Sequence, residues 1–248
     1  MTVLDVTLPA PDGECPASLH LPEGEGPWPG VIIYPDAGGP RPTFRAMADR
    51  MAGMGYATLL PEVYYRAGHY APFDMSTAFS DPDERTRLMS LSRSLTAGQV
   101  IADAGAFLDF LGGRPEVAGE RVGTTGYCMG GRISLLVASH HPDRVAAAAS
   151  FHGGRLADEA DPDSPALVAD RVQATVYVAA AENDATCPPE QLDRLEKAYT
   201  EAGVAHTIEI YPAAHGFAVP DNIGRCDEAL AERHWAALAG LYGSALRS

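Results

Sequence analysis

The stretch RVGTTGYCMGG, residues 121–131, decides the fold of this chain. Residues 121–127 form a run rich in β-branched and small residues that predicts a buried strand, and residues 129–140 follow a helical pattern. Between them stands G-x-C-x-G, with Cys128 flanked by Gly126 and Gly130. Because a Cβ at either glycine would clash with neighbouring backbone, this spacing predicts a sharp strand-to-helix turn that exposes the thiol.

This spacing is typical of a nucleophile elbow, a turn whose central residue carries the reactive side chain. The N–H groups and the dipole of the following helix would stabilise a thiolate on Cys128. The alternative is an ordinary glycine-rich turn around a buried cysteine. Residues elsewhere in the chain bear on this choice.

Outside this stretch, short β-branched runs alternate with helical patterns. We predict strands at residues 30–34, 56–60, 121–127, 145–151, 175–181 and 206–211. We predict helices at residues 43–54, 96–111, 129–140, 189–202 and 226–242. This alternation favours an α/β fold, with a mostly parallel central sheet flanked by helices on both faces, in a single domain of residues 1–248.

Composition and charge narrow the function classes. The chain has 18 basic and 33 acidic residues, a net charge of −15, and such a surface repels phosphate backbones. Hydrophobic residues make up 46% of the chain, which is typical of a folded protein, yet no apolar run approaches the ~18 residues of a membrane span. We therefore expect no nucleic-acid or membrane partner, and no obligate protein partner is evident.

The cysteine spacing indicates a reducing compartment. The four cysteines, Cys15, Cys128, Cys187 and Cys226, are far apart, and none forms a C-x-x-C pair. This predicts neither a disulfide framework nor a zinc site. With no signal-peptide pattern at the start, free thiols and a cytoplasmic location are expected. The adjacent pair His140-His141 lacks an accompanying ligand set, so no metal is expected.

The partners of a reactive cysteine should follow later strands. In parallel sheets, sites form at the carboxyl ends of the strands, and a nucleophile-elbow enzyme places an acid and then a histidine there. Asp184 and His215 each stand just past a predicted strand. Taken alone, Asp184 could be a helix N-cap and His215 a loop histidine. Together with Cys128 they predict a triad in which the carboxylate orients the imidazole and the imidazole holds the thiol proton.

An oxyanion hole is predicted from the same geometry. One donor would be the N–H of Met129, the residue after the cysteine, and the second would come from the loop after an earlier strand. Residues 35–39 form that loop, and Ala37 is the candidate. Gly38 and Gly39 would let the backbone approach a ligand closely, although the same pair is typical of a tight turn.

Three motifs resemble the dienelactone hydrolase family of the α/β-hydrolase superfamily, and the resemblance covers nearly the whole chain. They are G-Y-C-M-G-G at 126–131, the Asp184 loop ending in Pro188, and H-G-F at 215–217. The resemblance implies that a small-molecule ester or lactone is cleaved through an acyl-thiol intermediate, with no metal or cofactor. An acyltransferase or a peptidase would share the triad, and a homologue with a decayed site would only bind ligands.

The resemblance also implies roles around the triad, and this sequence departs from the family pattern there. The family's glutamate that takes part in thiol activation matches Asp36, which is one methylene shorter. Of two arginines that hold a substrate carboxylate, one matches Arg87 and the other position is Val219. Gly38 stands where the family has a bulky residue. Because valine cannot replace a bidentate guanidinium, we expect an altered ester or lactone specificity.

Three further residues are candidates for substrate contact. Tyr64 belongs to an irregular, aromatic-rich stretch at residues 61–82, which is typical of a lid or pocket wall as well as of plain packing. Arg85 is a second candidate for the pocket lining. His152 follows a predicted strand and is either a pocket residue or a core or loop histidine.

Overall fold

The computed structural model describes residues 1–247, so the last residue of the expected domain lies outside the described range. Its strands are β1 (Thr2–Ala10), β2 (Gly13–Leu21), β3 (Trp28–Tyr34), β4 (Ala57–Pro61), β5 (Val117–Tyr127), β6 (Val145–Phe151), β7 (Thr175–Asn183) and β8 (His206–Ala214). Its helices are α1 (Pro42–Gly53), α2 (Pro82–Ser94), α3 (Ala97–Gly112), α4 (Met129–His140), α5 (Pro189–Ala202) and α6 (Glu228–Ala245).

The strands form one sheet in the order β1-β2-β4-β3-β5-β6-β7-β8. The pairs β1–β2 and β2–β4 are antiparallel, and the remaining neighbours are parallel. The six predicted strands are all present, and the mostly parallel sheet is confirmed. Parallel connections need crossovers, which α1, α4 and α5 supply along the chain.

Three elements were not predicted, the strands β1 and β2 and the helix α2, and two of them carry a weak apolar signal. β1 lies at the edge of the sheet and only one of its nine residues is buried. α2 buries only Leu88 among its thirteen residues, so it shows little helical periodicity of apolar side chains. Its N-cap is nevertheless well formed, since the carboxylate of Asp81 accepts hydrogen bonds from the N–H groups of Asp83 and Glu84.

Two hydrophobic clusters cover the two faces of the sheet. One cluster joins the sheet to α3, α4 and α5, and the other joins it to α1 and α6. In α1 the buried side chains Phe44, Met47 and Met51 recur every three or four residues, which places them on one side of the helix. The helices therefore flank the sheet on both faces, as predicted.

The turn between β5 and α4 brings three segments of backbone into contact. Cys128 has φ 55° and ψ −115°, a positive φ that side chains rarely adopt. A Cβ on Gly126 would lie 1.9 Å from the carbonyl oxygen of Gly130, and a Cβ on Gly130 would lie 2.2 Å from that of Tyr34. Only glycine fits at these two positions, so the strained turn holds Cys128 at the carboxyl end of the central strand.

Replacing Gly130 with alanine should therefore destabilise the fold. The added methyl meets backbone atoms that cannot rotate away, so we expect the free energy of unfolding in urea to fall by about 3 kcal/mol. The matched control is Gly240→Ala in α6, where the methyl has open space and should raise that free energy by up to about 1 kcal/mol. Equal stability of the Gly130 variant and the wild type would contradict the close approach.

Candidate active site

The carboxyl ends of β5, β7 and β8 bring Cys128, Asp184 and His215 together. Nδ1 of His215 lies 2.6 Å from Oδ2 of Asp184, and Cys128 lies close enough to the same imidazole to raise its pKa. The Asp184 side chain is 1% exposed and that of His215 is 20% exposed, while Cys128 is half-buried. The three groups thus form a chain from thiol to imidazole to carboxylate, with its thiol end toward solvent.

Asp184 is held in place by its own loop. Its Oδ1 accepts hydrogen bonds from the N–H of Thr186 at 2.8 Å and from the hydroxyl at 2.7 Å, which leaves Oδ2 facing His215. Burial favours the protonated acid, but the bonds from His215 and Thr186 outweigh burial and lower the pKa of Asp184. Because α5 begins at Pro189 with Pro188 as its N-cap, Asp184 does not cap that helix.

His215 carries the charge of the resting site. Burial lowers its pKa, but the negative charge of Cys128 and the hydrogen bonds to Asp184 and Cys128 outweigh burial and raise the pKa to about 10. The imidazole is therefore protonated at neutral pH as long as Cys128 is negatively charged.

Tyr64 contacts both residues that are expected to supply the oxyanion donors. The Tyr64 hydroxyl donates to the carbonyl oxygen of Ala37 at 3.0 Å and lies 3.2 Å from Sδ of Met129. Within residues 1–247, neither the N–H of Ala37 nor the N–H of Met129 donates a hydrogen bond to a backbone carbonyl. Both groups are available for a ligand, and Tyr64 contributes to the wall of the site rather than to a loose loop.

The carboxylate of Asp36 is bonded to Arg41 and Gly38 rather than to the thiol. Its Oδ1 lies 2.7 Å from Nη1 of Arg41 and its Oδ2 lies 2.9 Å from Nη2, while Oδ1 also accepts the N–H of Gly38 at 2.9 Å. The hydrogen bonds of this side chain within residues 1–247 all lie in its own loop, and none goes to Cys128. The expected contact between Asp36 and the thiol is not formed.

Two residues expected to contact substrate are fully buried instead. Val219 and His152 are each 0% exposed. Val219 packs with Phe217 in the core beneath α6. The His152 ring lies edge-on to His215, with centroids 5.1 Å apart, and to Phe217 at 5.3 Å. The expectation of substrate contact is wrong for both, because the fold turns these side chains into the core.

A cleft of about 920 Å³ opens beside Tyr64 and also contains Arg87. It lies next to the triad but is not lined by it. Nε and Nη2 of Arg87 donate to the carboxylate of Glu84 at 3.1 and 2.7 Å, and the guanidinium lies 3.8 Å over the ring of Phe73. Arg87 thus lines the same cleft as Tyr64, and its charge is already paired with Glu84.

Arg85 does not share this cleft. Its side chain is exposed on another side of α2, where it lines a separate groove with Met89 and Arg93. Arg85 and Arg87 are two residues apart in a helix, so their side chains point about 200° apart around the axis. The expected place of Arg85 in the pocket lining is therefore wrong.

The two histidines near the end of α4 form hydrogen bonds with backbone carbonyl groups. Nδ1 of His140 lies 2.9 Å from the carbonyl oxygen of Leu136, and Nε2 of His141 lies 2.8 Å from that of Ile101. Across residues 1–247 no three metal-ligating side chains cluster as a metal ion would require. Over the same range, no helix combines the length and apolar character that crossing a membrane takes.

Sequence reasoning missed two features of the site. Thr186 stands two residues after Asp184, a common spacing for a side chain that caps a neighbouring carboxylate, so this signal was readable. Arg41 pairs with Asp221, which is 180 residues away in the sequence. No local pattern links that pair, and only the folded chain brings it together.

Comparison with known proteins gives a consistent assignment. The model of the "Dienelactone hydrolase family" matches residues 15–246. A protein of Methylorubrum extorquens provisionally named carboxymethylenebutenolidase is 31% identical over 216 residues, covering 86% of this chain and 71% of that one. A Synechocystis sp. protein with the same provisional name is 29% identical over 206 residues, covering 82% and 80%.

Solved structures agree with the sequence comparison. The crystal structure of a Klebsiella pneumoniae protein provisionally named dienelactone hydrolase matches with a TM-score of 0.82 and 26% identity, covering 98% of both chains. The fold is therefore the α/β-hydrolase fold expected from the sequence. The chain belongs to the dienelactone hydrolase family, and its enzyme class is hydrolase.

Replacing His215 with glutamine removes the positive charge beside Cys128. We expect the rate of Cys128 alkylation by iodoacetamide at pH 7, followed by mass spectrometry of the cysteine peptide, to fall by about tenfold. Because the imidazolium keeps its proton until about pH 10, the wild-type rate should change little between pH 7 and 9. The variant's rate should rise over that range, as it does for an unpaired thiol.

The matched control for this experiment is His141→Gln, which removes an imidazole bonded only to backbone far along α4. It should leave the alkylation rate and its pH dependence unchanged. Identical pH profiles for the wild type and the His215 variant would show that no thiolate–imidazolium pair exists.

Proposed function

We propose that this protein hydrolyses a neutral carboxylic ester or lactone through an acyl-thiol intermediate on Cys128. One observation carries the proposal: at the carboxyl edge of the sheet the imidazole of His215 bonds to the carboxylate of Asp184 and lies close enough to Cys128 for the thiol to raise its pKa. Membership of the dienelactone hydrolase family supports the reaction class, and the names of the relatives support a lactone or ester as substrate.

Acylation begins with the Cys128 thiolate. Its sulfur attacks the carbonyl carbon, and the electron pair of the C=O bond moves onto oxygen, where the N–H groups of Met129 and Ala37 stabilise the charge. When the tetrahedral adduct collapses, the bond to the leaving oxygen breaks and His215 gives that oxygen its proton. In a lactone the leaving oxygen stays attached to the acyl group as a hydroxyl.

Deacylation depends on the change in charge at Cys128. Once the sulfur is acylated it is neutral, and the attraction that raised the pKa of His215 is gone. The pKa of the imidazole therefore falls, and the neutral ring takes a proton from water as the water attacks the thioester. Asp184 stabilises the imidazolium formed at this step. The thiolate then leaves, the acid product gives its proton to solvent and departs as a carboxylate, and the resting pair is restored.

The surroundings of the triad favour neutral substrates. Val219 is buried where a second carboxylate-binding arginine was expected from the family pattern. Both arginines of the cleft beside Tyr64 are paired, Arg87 with Glu84 and Arg66 with Asp103. A substrate carboxylate would have to displace one of these partners, and the chain's net charge of −15 opposes its approach.

If an acyl-enzyme forms, nitrophenol should be released in a rapid initial burst. With p-nitrophenyl acetate, we expect the wild type to release about one equivalent of nitrophenol per enzyme before steady turnover, and Cys128→Ala to lose both the burst and turnover. Stopped-flow absorbance measures the burst, and mass spectrometry of quenched enzyme places the acetyl group on Cys128.

Cys226→Ala is the matched control, because this residue is also a half-buried free cysteine. It should retain the full burst. Unchanged turnover in Cys128→Ala would refute the proposed nucleophile, and product with an acceptor other than water would indicate an acyltransferase.

Substrate charge gives a separate prediction. We expect kcat/KM for p-nitrophenyl acetate to exceed that for p-nitrophenyl hemisuccinate, which carries a carboxylate, by at least about tenfold. Glu84→Gln removes the partner of Arg87 and should narrow that ratio, because the freed guanidinium can then pair with the substrate. Efficient cleavage of a carboxylated dienelactone, well above that of neutral esters, would overturn the expected specificity.

A further inference from the structure

Arg41 lies at the N-terminus of α1 and is the most fully engaged charged side chain near the triad. Arg41 is only 8% exposed to solvent. Nη1 donates to Oδ1 of Asp36 at 2.7 Å and to the carbonyl oxygen of Gly39 at 3.2 Å. Nη2 donates to Oδ2 of Asp36 at 2.9 Å and to Oδ1 of Asp221 at 2.8 Å, and Nε donates to Oδ2 of Asp221 at 2.6 Å. All five N–H donors of the guanidinium are therefore used.

The acceptors of Arg41 belong to two separate loops of the site. Asp36 and Gly39 flank Ala37 in the loop after β3, which supplies one predicted oxyanion donor. Asp221 lies six residues after His215, in the segment that leaves β8. The two loops are far apart in the sequence and are joined here by a single buried cation.

The second loop is stiffened around this contact. The N–H of Val219 donates to the carbonyl oxygen of Gly216, and Nδ2 of Asn222 donates to the same oxygen. Thr43 in α1 adds a hydrogen bond to Oδ2 of Asp221 at 2.7 Å. A short segment held by these hydrogen bonds therefore links Asp221 to the backbone beside His215.

Charge and burial make this contact hard to replace. Burial disfavours the charged guanidinium, but its bonds to Asp221 and Asp36 outweigh burial and raise the pKa of Arg41. Burial likewise raises the pKa of Asp221, yet the bond from Arg41 outweighs it and lowers the pKa overall. The loop also packs directly on the guanidinium, since a Cβ on Gly38 would lie 2.8 Å from Nη1.

We propose that Arg41 is a positioning residue that fixes the Ala37 N–H relative to His215 by bonding both loops at once. The proposal rests on the proposed hydrolysis and refines it. Asp36 then serves as an anchor of the oxyanion loop rather than as a base for the thiol. Lysine cannot substitute, because one ammonium with three donors cannot serve two carboxylates bidentately.

The test compares two reactions of Cys128 that differ in their need for an oxyanion hole. Acylation by p-nitrophenyl acetate builds negative charge on the carbonyl oxygen, whereas alkylation by iodoacetamide does not. A misplaced donor costs up to about a hundredfold in rate. We therefore expect Arg41→Lys and Asp221→Asn to slow the burst-phase acylation rate by about ten- to a hundredfold and to leave the alkylation rate within about twofold of the wild type.

Two further variants separate positioning from general damage. Arg50→Lys breaks the bidentate pair of Arg50 with Glu232 between α1 and α6, away from the site, and should leave both rates unchanged. The double variant Arg41→Lys/Asp221→Asn should lose less than the product of the two single losses, because both act through one contact. Thermal melting confirms that each variant is folded at the assay temperature.

The outcomes separate this proposal from the proposed function. A wild type without a Cys128-dependent burst would overturn both. A normal wild-type burst with normal acylation in the Arg41→Lys and Asp221→Asn variants would overturn the role of Arg41 alone. Equal losses of acylation and alkylation would also overturn it, since they would show damage to the thiolate itself rather than to the oxyanion site.

Discussion

The backbone contact between the start of α4 and the end of β3 is the constraint on which the site depends. Gly130 lies so close to β3 that a Cβ would meet the carbonyl oxygens of both Tyr34 and Pro35, at 2.2 and 2.5 Å. Pro35 begins the loop that carries Ala37. One close contact therefore fixes both the cysteine turn and the start of the loop that carries Ala37, so Cys128 and the candidate oxyanion donors cannot move independently.

Charged side chains position the parts of the site that this backbone contact does not fix. Asp184 is buried and ionised, and its cost of burial is offset by His215 and Thr186. The same carboxylate and Cys128 raise the pKa of His215, which favours the protonated imidazole. Buried charges of this kind are destabilising when one partner is removed, because the other is left uncompensated.

The sequence was most informative where function depends on local backbone. The turn at Cys128 needs glycines at fixed spacing between a strand and a helix, and that requirement is visible in eleven residues. Side-chain direction is less readable. His152 and Val219 lie in loops near the site, but their side chains point into the core. Arg85 is only two residues from Arg87, yet this spacing places its side chain on another side of α2. These outcomes depend on packing across the fold, which no local pattern encodes.

The distribution of positive charge supports the proposed preference for a neutral substrate. A guanidinium can neutralise a substrate carboxylate only if no protein carboxylate already occupies it. Near this site Arg41 is satisfied by Asp36 and Asp221, and Arg87 is satisfied by Glu84. Binding an anion would require breaking a charge-assisted bond of similar strength, so the exchange gains little. A neutral ester makes no such demand and needs only the apolar wall and the two N–H groups, which is the environment these residues provide.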